Sequence, residues 1–136
     1  MIALFTDFGL HGPYTGQMKA VLHQMAPGIP IIDLFADAPV GNPKASAYLL
    51  AAYAAWFPVR TVFLCAVDPG VGGTRPSIFI ESDSRWYIGP GNGLFELIQR
   101  SPRDAQLGHR LEAEAPFGQL SRARPVRPGG SHAGAR

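Results

Sequence analysis

The chain contains one cysteine, Cys65, so neither a disulfide framework nor a thiolate metal site can be built within it. Cys65 sits inside the apolar run TVFLCA and reads as a small core residue. No apolar run reaches the roughly 20 residues of a membrane-spanning helix. No basic segment leads into an apolar stretch with a small-residue cleavage site, so a cytoplasmic location is the expectation. Two nucleotide-binding signatures are also missing, the GxGxxG fingerprint and the P-loop lysine, which weakens a dinucleotide or triphosphate reading. Charged residues are sparse at 16% beside 46% hydrophobic, as in a soluble globular protein with a lightly charged surface. The 136 residues have room for one domain with a real core, and not for two ordinary ones.

The net charge of +2 hints at nucleic acid, but the positive balance is confined to the end of the chain. From Ala115 onward there are Arg122, Arg124, Arg127 and Arg136 and no acid. Residues 1–114 hold all 10 acids against 8 Lys and Arg, a balance of −2, so no basic stripe lies on the folded part.

What is present alternates between strand-like and helix-like segments. IALFT (2–6) is a short apolar run closed by DFG. Met18, Val21, Leu22 and Met25 follow at i, i+3, i+4 and i+7, one stripe of a helix. IPIIDLF (29–35) reads as the next buried strand, and Asn42-Pro43 as the cap and first turn of a helix through Phe57. Thr61 to Val67 is a third buried strand. SIFIES (77–82) and RWYIGP (85–90) form a hairpin around Asp83 and Ser84, and GLFELIQR (93–100) predicts one more helix. The pattern implies an α/β fold, a mainly parallel sheet flanked by helices. Right-handed crossovers then bring every parallel strand's carboxyl end to one edge, where open α/β sheets bind ligands. That edge holds Asp7, Asp33 or Asp37, and Asp68. The helix from Pro43 is alanine-rich with Lys44 as its only charge, so it is expected to be covered on more than one side, the second by another subunit.

Three constellations carry possible chemistry. In TDFG, with Tyr14 five residues after Gly9, the Asp7 carboxylate could accept both hydrogen bonds of a vicinal diol, or serve as a turn residue or helix cap. Gly9 lets the backbone approach a ligand closely. In VDPGVGGTR, Pro69 and the glycines hold Asp68 at a defined place, and Arg75 could return to pair with it. The same residues could equally be an ion pair bracing a turn. In GPGNG, Asn92 could direct its amide at a ligand or cap the following helix.

The order of these motifs resembles a known family. TDFG-x4-Y-x-G-x-M-K, IIDL, FP-x2-TV, VDPGVG-x2-R and GNGL, across residues 2 to about 100, are similar to the S-adenosyl-L-methionine (SAM) hydrolases that form adenosine. These are also called SAM hydroxide adenosyltransferases and are relatives of the SAM-dependent fluorinase and chlorinase. The halogenating branch lacks the aspartate of VDPGVG, so Asp68 points to the hydrolases. The resemblance implies attack of water or hydroxide at ribose C5′ of SAM with methionine leaving. Asp68 and Arg75 would be catalytic, acting with a histidine. Asp7 would bind the ribose hydroxyls, with Phe8, Gly9, Tyr14 and Asn92 around the substrate. It implies no metal and no cofactor beyond SAM as substrate, no nucleic-acid or membrane partner, and a homotrimer for the full-length family.

Departures accompany the match. Gly12 stands where many members have an acid, and Gly91 where an aspartate is commoner. The histidine phrase, FHGRDxFAP or similar, does not occur, and His109 and His132 lack its context. The family's second, β-rich domain, which supplies much of the adenine pocket across the trimer interface, is expected to be missing. Residues 1–100 therefore read as the N-terminal α/β domain and 101–136 as an aberrant tail, disordered by its Arg, Gly, Ala and Pro content. Codons can be chosen for Leu120 to Arg136 so that reading one nucleotide later yields FHGRDLFAPVAAMLAR, the missing phrase followed by an amphipathic helix. A frameshift between about Ser101 and Gln119 is the expectation, with activity impaired and solubility poor. Two other readings remain: a non-catalytic nucleoside-binding or oligomerisation fragment, and a hydrolase holding a metal on Asp7, Asp33 and Asp68. Arg75 beside the site opposes the metal.

Overall fold

The computed structural model describes residues 1–70 and 72–100, and a short strand at 110–111. The elements are β1 (Ile2–Thr6), α1 (Tyr14–Met25), β2 (Ile31–Phe35), α2 (Pro43–Ala54), β3 (Val62–Ala66), β4 (Ser77–Ser82), β5 (Arg85–Pro90), α3 (Glu96–Gln99) and β6 (Arg110–Leu111). They build one sheet in the order β2-β1-β3-β5-β4-β6, so β2 is an edge strand with no fully buried residue, not the buried strand its apolar run suggests. β1 is parallel to β2 and β3, and β3 is parallel to β5. β4 is antiparallel to β5 and to β6. This is the α/β, mainly parallel architecture expected from the alternation of elements.

The chain moves one way along the sheet from β1 to β2 and back across β1 to β3. Right-handed crossovers therefore put α1 and α2 on opposite faces. The core lies on the α2 side: Ala3, Phe5, Phe63, Cys65, Ile80 and Tyr87 of the strands pack with Leu50 and Ala54 of α2 and Ile98 of α3. Phe63 is fully buried, stacked on Tyr87 at 4.9 Å and met edge-on by Phe57 at 5.2 Å. Burying such a side chain contributes about 1.5–3 kcal/mol.

The hairpin forms with the expected bounds. Asp83 and Ser84 both have positive φ, 50° and 58°, as a two-residue turn of the right twist demands. Arg85 then reaches across to the end of α2. Its guanidinium donates to Phe57 O at 3.0 and 2.5 Å and to Ala55 O at 3.3 Å, and it pairs with Asp83 at 3.1 Å. A cation at a helix C-terminus satisfies carbonyls that the helix leaves open.

Two helices are shorter than expected. α2 ends at Ala54, because Trp56 and Phe57 switch to tight bonds with Tyr53 O and Ala54 O. α3 is confined to Glu96–Gln99, because Asn92 and Gly93 form a turn and Phe95 is its cap. Strand β6 falls in the stretch expected to lack structure, and the rest of 101–136, including the histidine context and the frameshift window, lies outside the described residues. No helix among the described residues is long and apolar enough to cross a membrane.

Candidate functional site

Asp7 follows the last residue of β1, and Asp68 comes two residues after the end of β3. Thr6 and Ala66 are direct partners in the parallel ladder. Asp7 and Asp68, one and two residues past that pair, therefore leave the same edge on neighbouring strands, which lie about 4.8 Å apart. The Asp7 N–H still donates to Ala66 O, at 3.4 Å.

Each carboxylate is gripped from one side by a glycine N–H. Gly41 donates to Asp7 Oδ2 at 2.8 Å, and Gly70 donates to Asp68 Oδ1 at 2.8 Å. Gly41 has φ +57°, a left-handed turn that aims its N–H at the acid. Arg75 Nη1 adds a second donor to Asp68 Oδ1 at 3.2 Å. The Asp68 side chain is 16% exposed and that of Arg75 42%, so the pair stands at the rim. Among the described residues nothing donates to Asp68 Oδ2 or to Asp7 Oδ1. Among the described residues, then, each acid has one oxygen held and one without a donor.

The surrounding residues complete an open shelf. Gly9, with φ +93°, donates to Ala36 O at 2.6 Å and ties the DFG turn to the end of β2. Phe8 is half-buried and its ring lies 6.0 Å from that of Tyr14, which is exposed at the start of α1. Asn92 is turned inward. Its Nδ2 donates to Val67 O at 2.8 Å, and its Oδ1 accepts from Leu94 N at 3.2 Å. Each end of that amide thus makes one bond within the protein, and it does not cap α3, whose cap residue is Phe95. Two open clefts, of about 360 and 370 Å³, border α2 and α3, and neither aspartate lines them.

Two features were not anticipated from the sequence. Gly41 holds Asp7 across 34 positions, a contact that local pattern cannot reveal. Thr6, just before Asp7, is 1% exposed, and its Oγ1 has no hydrogen-bond partner among the described residues. The metal alternative loses a ligand, because Asp33 lies inside β2 opposite Leu4 and pairs with Lys19 at 2.7 Å. Asp37 is exposed beyond the end of β2. Among the described residues no three His, Cys, Asp or Glu side chains form a cluster able to hold a metal.

The family model for the SAM hydroxide adenosyltransferase N-terminal domain matches residues 2–126. The chain belongs to this family. A relative from Thermus thermophilus, named (R)-S-adenosyl-L-methionine hydrolase, is 40% identical over 97 residues, covering 71% of this chain and 37% of the relative. One of the same name from Methanocaldococcus jannaschii is 37% identical over 103 residues, covering 72% and 39%. A crystal structure of an uncharacterized conserved protein from Thermotoga maritima superposes with a TM-score of 0.70 at 33% identity, covering 73% of this chain and 38% of that one. A second, from Thermus thermophilus, gives 0.65 at 38% identity, covering 72% and 41%. The chain thus spans about two fifths of the length of these relatives.

Proposed function

We propose that the carboxyl edge of the sheet serves hydrolysis of SAM to adenosine and L-methionine. Water attacks ribose C5′ in line with the sulfonium: the O–C5′ bond forms and the C5′–S bond breaks. The electron pair goes to sulfur, which leaves as the neutral thioether of methionine, and the water releases one proton. A sulfonium leaves without a general acid, so the protein's task is to orient the water and make it more hydroxide-like. Asp68 takes that role. Its Oδ1 is held by Gly70 and Arg75, which leaves Oδ2 as the acceptor for the water. Asp7, locked by Gly41, presents its other oxygen to the ribose hydroxyls, and Phe8, Gly9 and Tyr14 flank the nucleoside. No metal or cofactor takes part, and the setting is cytoplasmic.

The observation that carries this reading is the half-engaged Asp68 carboxylate beside an equally half-engaged Asp7. An ion pair that merely braced a turn has no need of a second acid held the same way on the next strand. The shelf is open, which fits a site closed in longer relatives by further chain or by another copy. A homo-oligomer, a trimer in the full-length form, belongs to the same proposal.

The test is to incubate SAM with this chain and with a version read one nucleotide later beyond Ser101, following adenosine and methionine with and without chelator. Adenosine from the frame-restored version alone supports the reading and assigns the impairment to the tail. Loss of turnover with chelator overturns it in favour of a metal. No turnover from either, with adenosine still bound, overturns it in favour of a nucleoside-binding fragment.

A further inference from the structure

The GPGNG loop is built to reach β3. The β3–β5 ladder is in register from Val62–Trp86 to Leu64–Ile88. Beyond it Gly89 comes so close that a Cβ there would lie 2.7 Å from Cys65 O and 2.9 Å from Phe95 Cζ. The loop then delivers Asn92 to Val67 O, the last carbonyl before Asp68, at 2.8 Å. The amide's other end is anchored by Leu94 N at 3.2 Å, and Leu94 is fully buried. Val67 is itself fully buried, so its carbonyl would carry a desolvation penalty without this donor.

We infer that Asn92 is a positioning residue for Asp68: it replaces the missing rung of the β3–β5 ladder and fixes the Val67–Asp68 peptide from which the carboxylate projects. Asp68 is then held from two sides. Gly70 and Arg75 grip the carboxylate, and Asn92 grips the backbone behind it. The role rests on the hydrolase reading for its purpose but not for its geometry. It separates Asn92 from Asp7 and Tyr14, because each end of its amide already holds a backbone group of the protein.

The experiment follows the Gly70 amide proton in the full chain by NMR while pH is lowered through the titration of Asp68. A proton donated to a carboxylate shifts as that carboxylate protonates, so Gly70 reports whether Asp68 is in place. Asn92→Asp keeps the acceptor for Leu94 N and removes the donor to Val67 O. It is expected to lose the Gly70 titration shift while the amides of Leu4 and Phe63 keep wild-type shifts. Asn92→Ala serves as a second variant. Adenosine is titrated into the same samples. An intact Gly70 response with weakened adenosine binding overturns the inference and makes Asn92 a ligand contact. An intact response with unchanged binding overturns it as well. Loss of the whole fold in both variants overturns it too, since Asn92 then supports the core at large. Failure of SAM hydrolysis in every form leaves the Gly70 readout standing, so the two readings fail separately.

Discussion

Asp68 Oδ1 accepts two hydrogen bonds, from Gly70 N at 2.8 Å and from Arg75 Nη1 at 3.2 Å, while nothing among the described residues donates to its Oδ2. The asymmetry distinguishes an acid prepared for a third partner from one consumed by its neighbours. It also separates the contributions of the residue to stability and to chemistry, because the arginine is 42% exposed and the pair lies at the rim.

Asp68→Asn is accordingly expected to cost little stability, within the ~0–1 kcal/mol of a solvent-facing ion pair. In the frame-restored chain it should lower kcat on the order of 10²- to 10⁴-fold, the contribution of a positioned base. Urea melts and initial rates on the same preparations check both halves. A large stability loss with activity retained would make the pair structural.

Asp7 permits a sharper division, because Gly41 N holds Oδ2 while no described residue donates to Oδ1. Asp7→Ala removes the acceptor for Gly41 N and should release the loop from Pro39 to Asn42 as well as weaken adenosine binding. Asp7→Asn keeps an acceptor for Gly41 and loses only the charge offered to a diol. Hydrogen bonds to charged groups are worth ~1.5–3 kcal/mol, so adenosine affinity should fall about tenfold or more in either variant. Calorimetry with adenosine and with 2′-deoxyadenosine tests the assignment: the wild type should discriminate between them, and Asp7→Asn should not.

Gly89→Ala tests the close approach of β5 to β3. The added Cβ would meet a backbone carbonyl at 2.7 Å, and a carbonyl cannot swing aside as a side chain can. A loss of about 1–3 kcal/mol is expected from overpacking, read as a lower urea midpoint at unchanged slope.

The sheet was legible where one element reports on itself. The alternation of SIFIES and RWYIGP, with Asp83-Ser84 between them, specified the hairpin to the residue. Asn42-Pro43 marked the start of α2, where Asn42 accepts from Ala45 N at 3.0 Å. The misreadings arose where a distant partner decides. Asp33 lies inside β2 opposite Leu4, and its partner Lys19 is on α1, where no local pattern names it. Helix α3 was drawn too long because GLFELIQR is apolar at helical spacing, while its first residues are used by the Asn92 turn. The site was legible as motifs, and so was the pairing of Arg75 with Asp68; the hold of Gly41 on Asp7 was not, because the two are far apart in the chain.

The outer face of α2 bears on assembly. Tyr48, on a helix whose only charge is Lys44, is 62% exposed, and Trp56 and Val59, in the turn that follows it, are 84% and 60% exposed. Large apolar side chains this exposed point to cover by a partner, here proposed to be a second copy. Trp56→Lys should leave the urea midpoint nearly unchanged, since the side chain packs little within one chain. It should shift sizing or sedimentation toward the monomer. A wild-type chain that sediments as a monomer at high concentration counts against the assembly.

Cys65 is 1% exposed in the middle of β3, and burial pushes its thiol well above its ordinary value of 9.0. In the folded chain the thiol therefore stays protonated where the unfolded chain has already lost that proton. With fewer protons bound by the unfolded state, stability must fall as pH rises. The stabilising contribution is complete below the ordinary value and decreases above it, by about 1.4 kcal/mol per pH unit. Cys65→Ala removes this titration at the cost of a small cavity. The difference in unfolding free energy between wild type and variant, measured from pH 7 to 10.5, should shrink above pH 9 as the wild type loses its advantage. The same burial predicts slow labelling of the native thiol by a water-soluble reagent and fast labelling in urea. A thiol that reacts at the free rate under native conditions, or a difference that does not change with pH, would place Cys65 outside the packed core and undo the register assigned to β3.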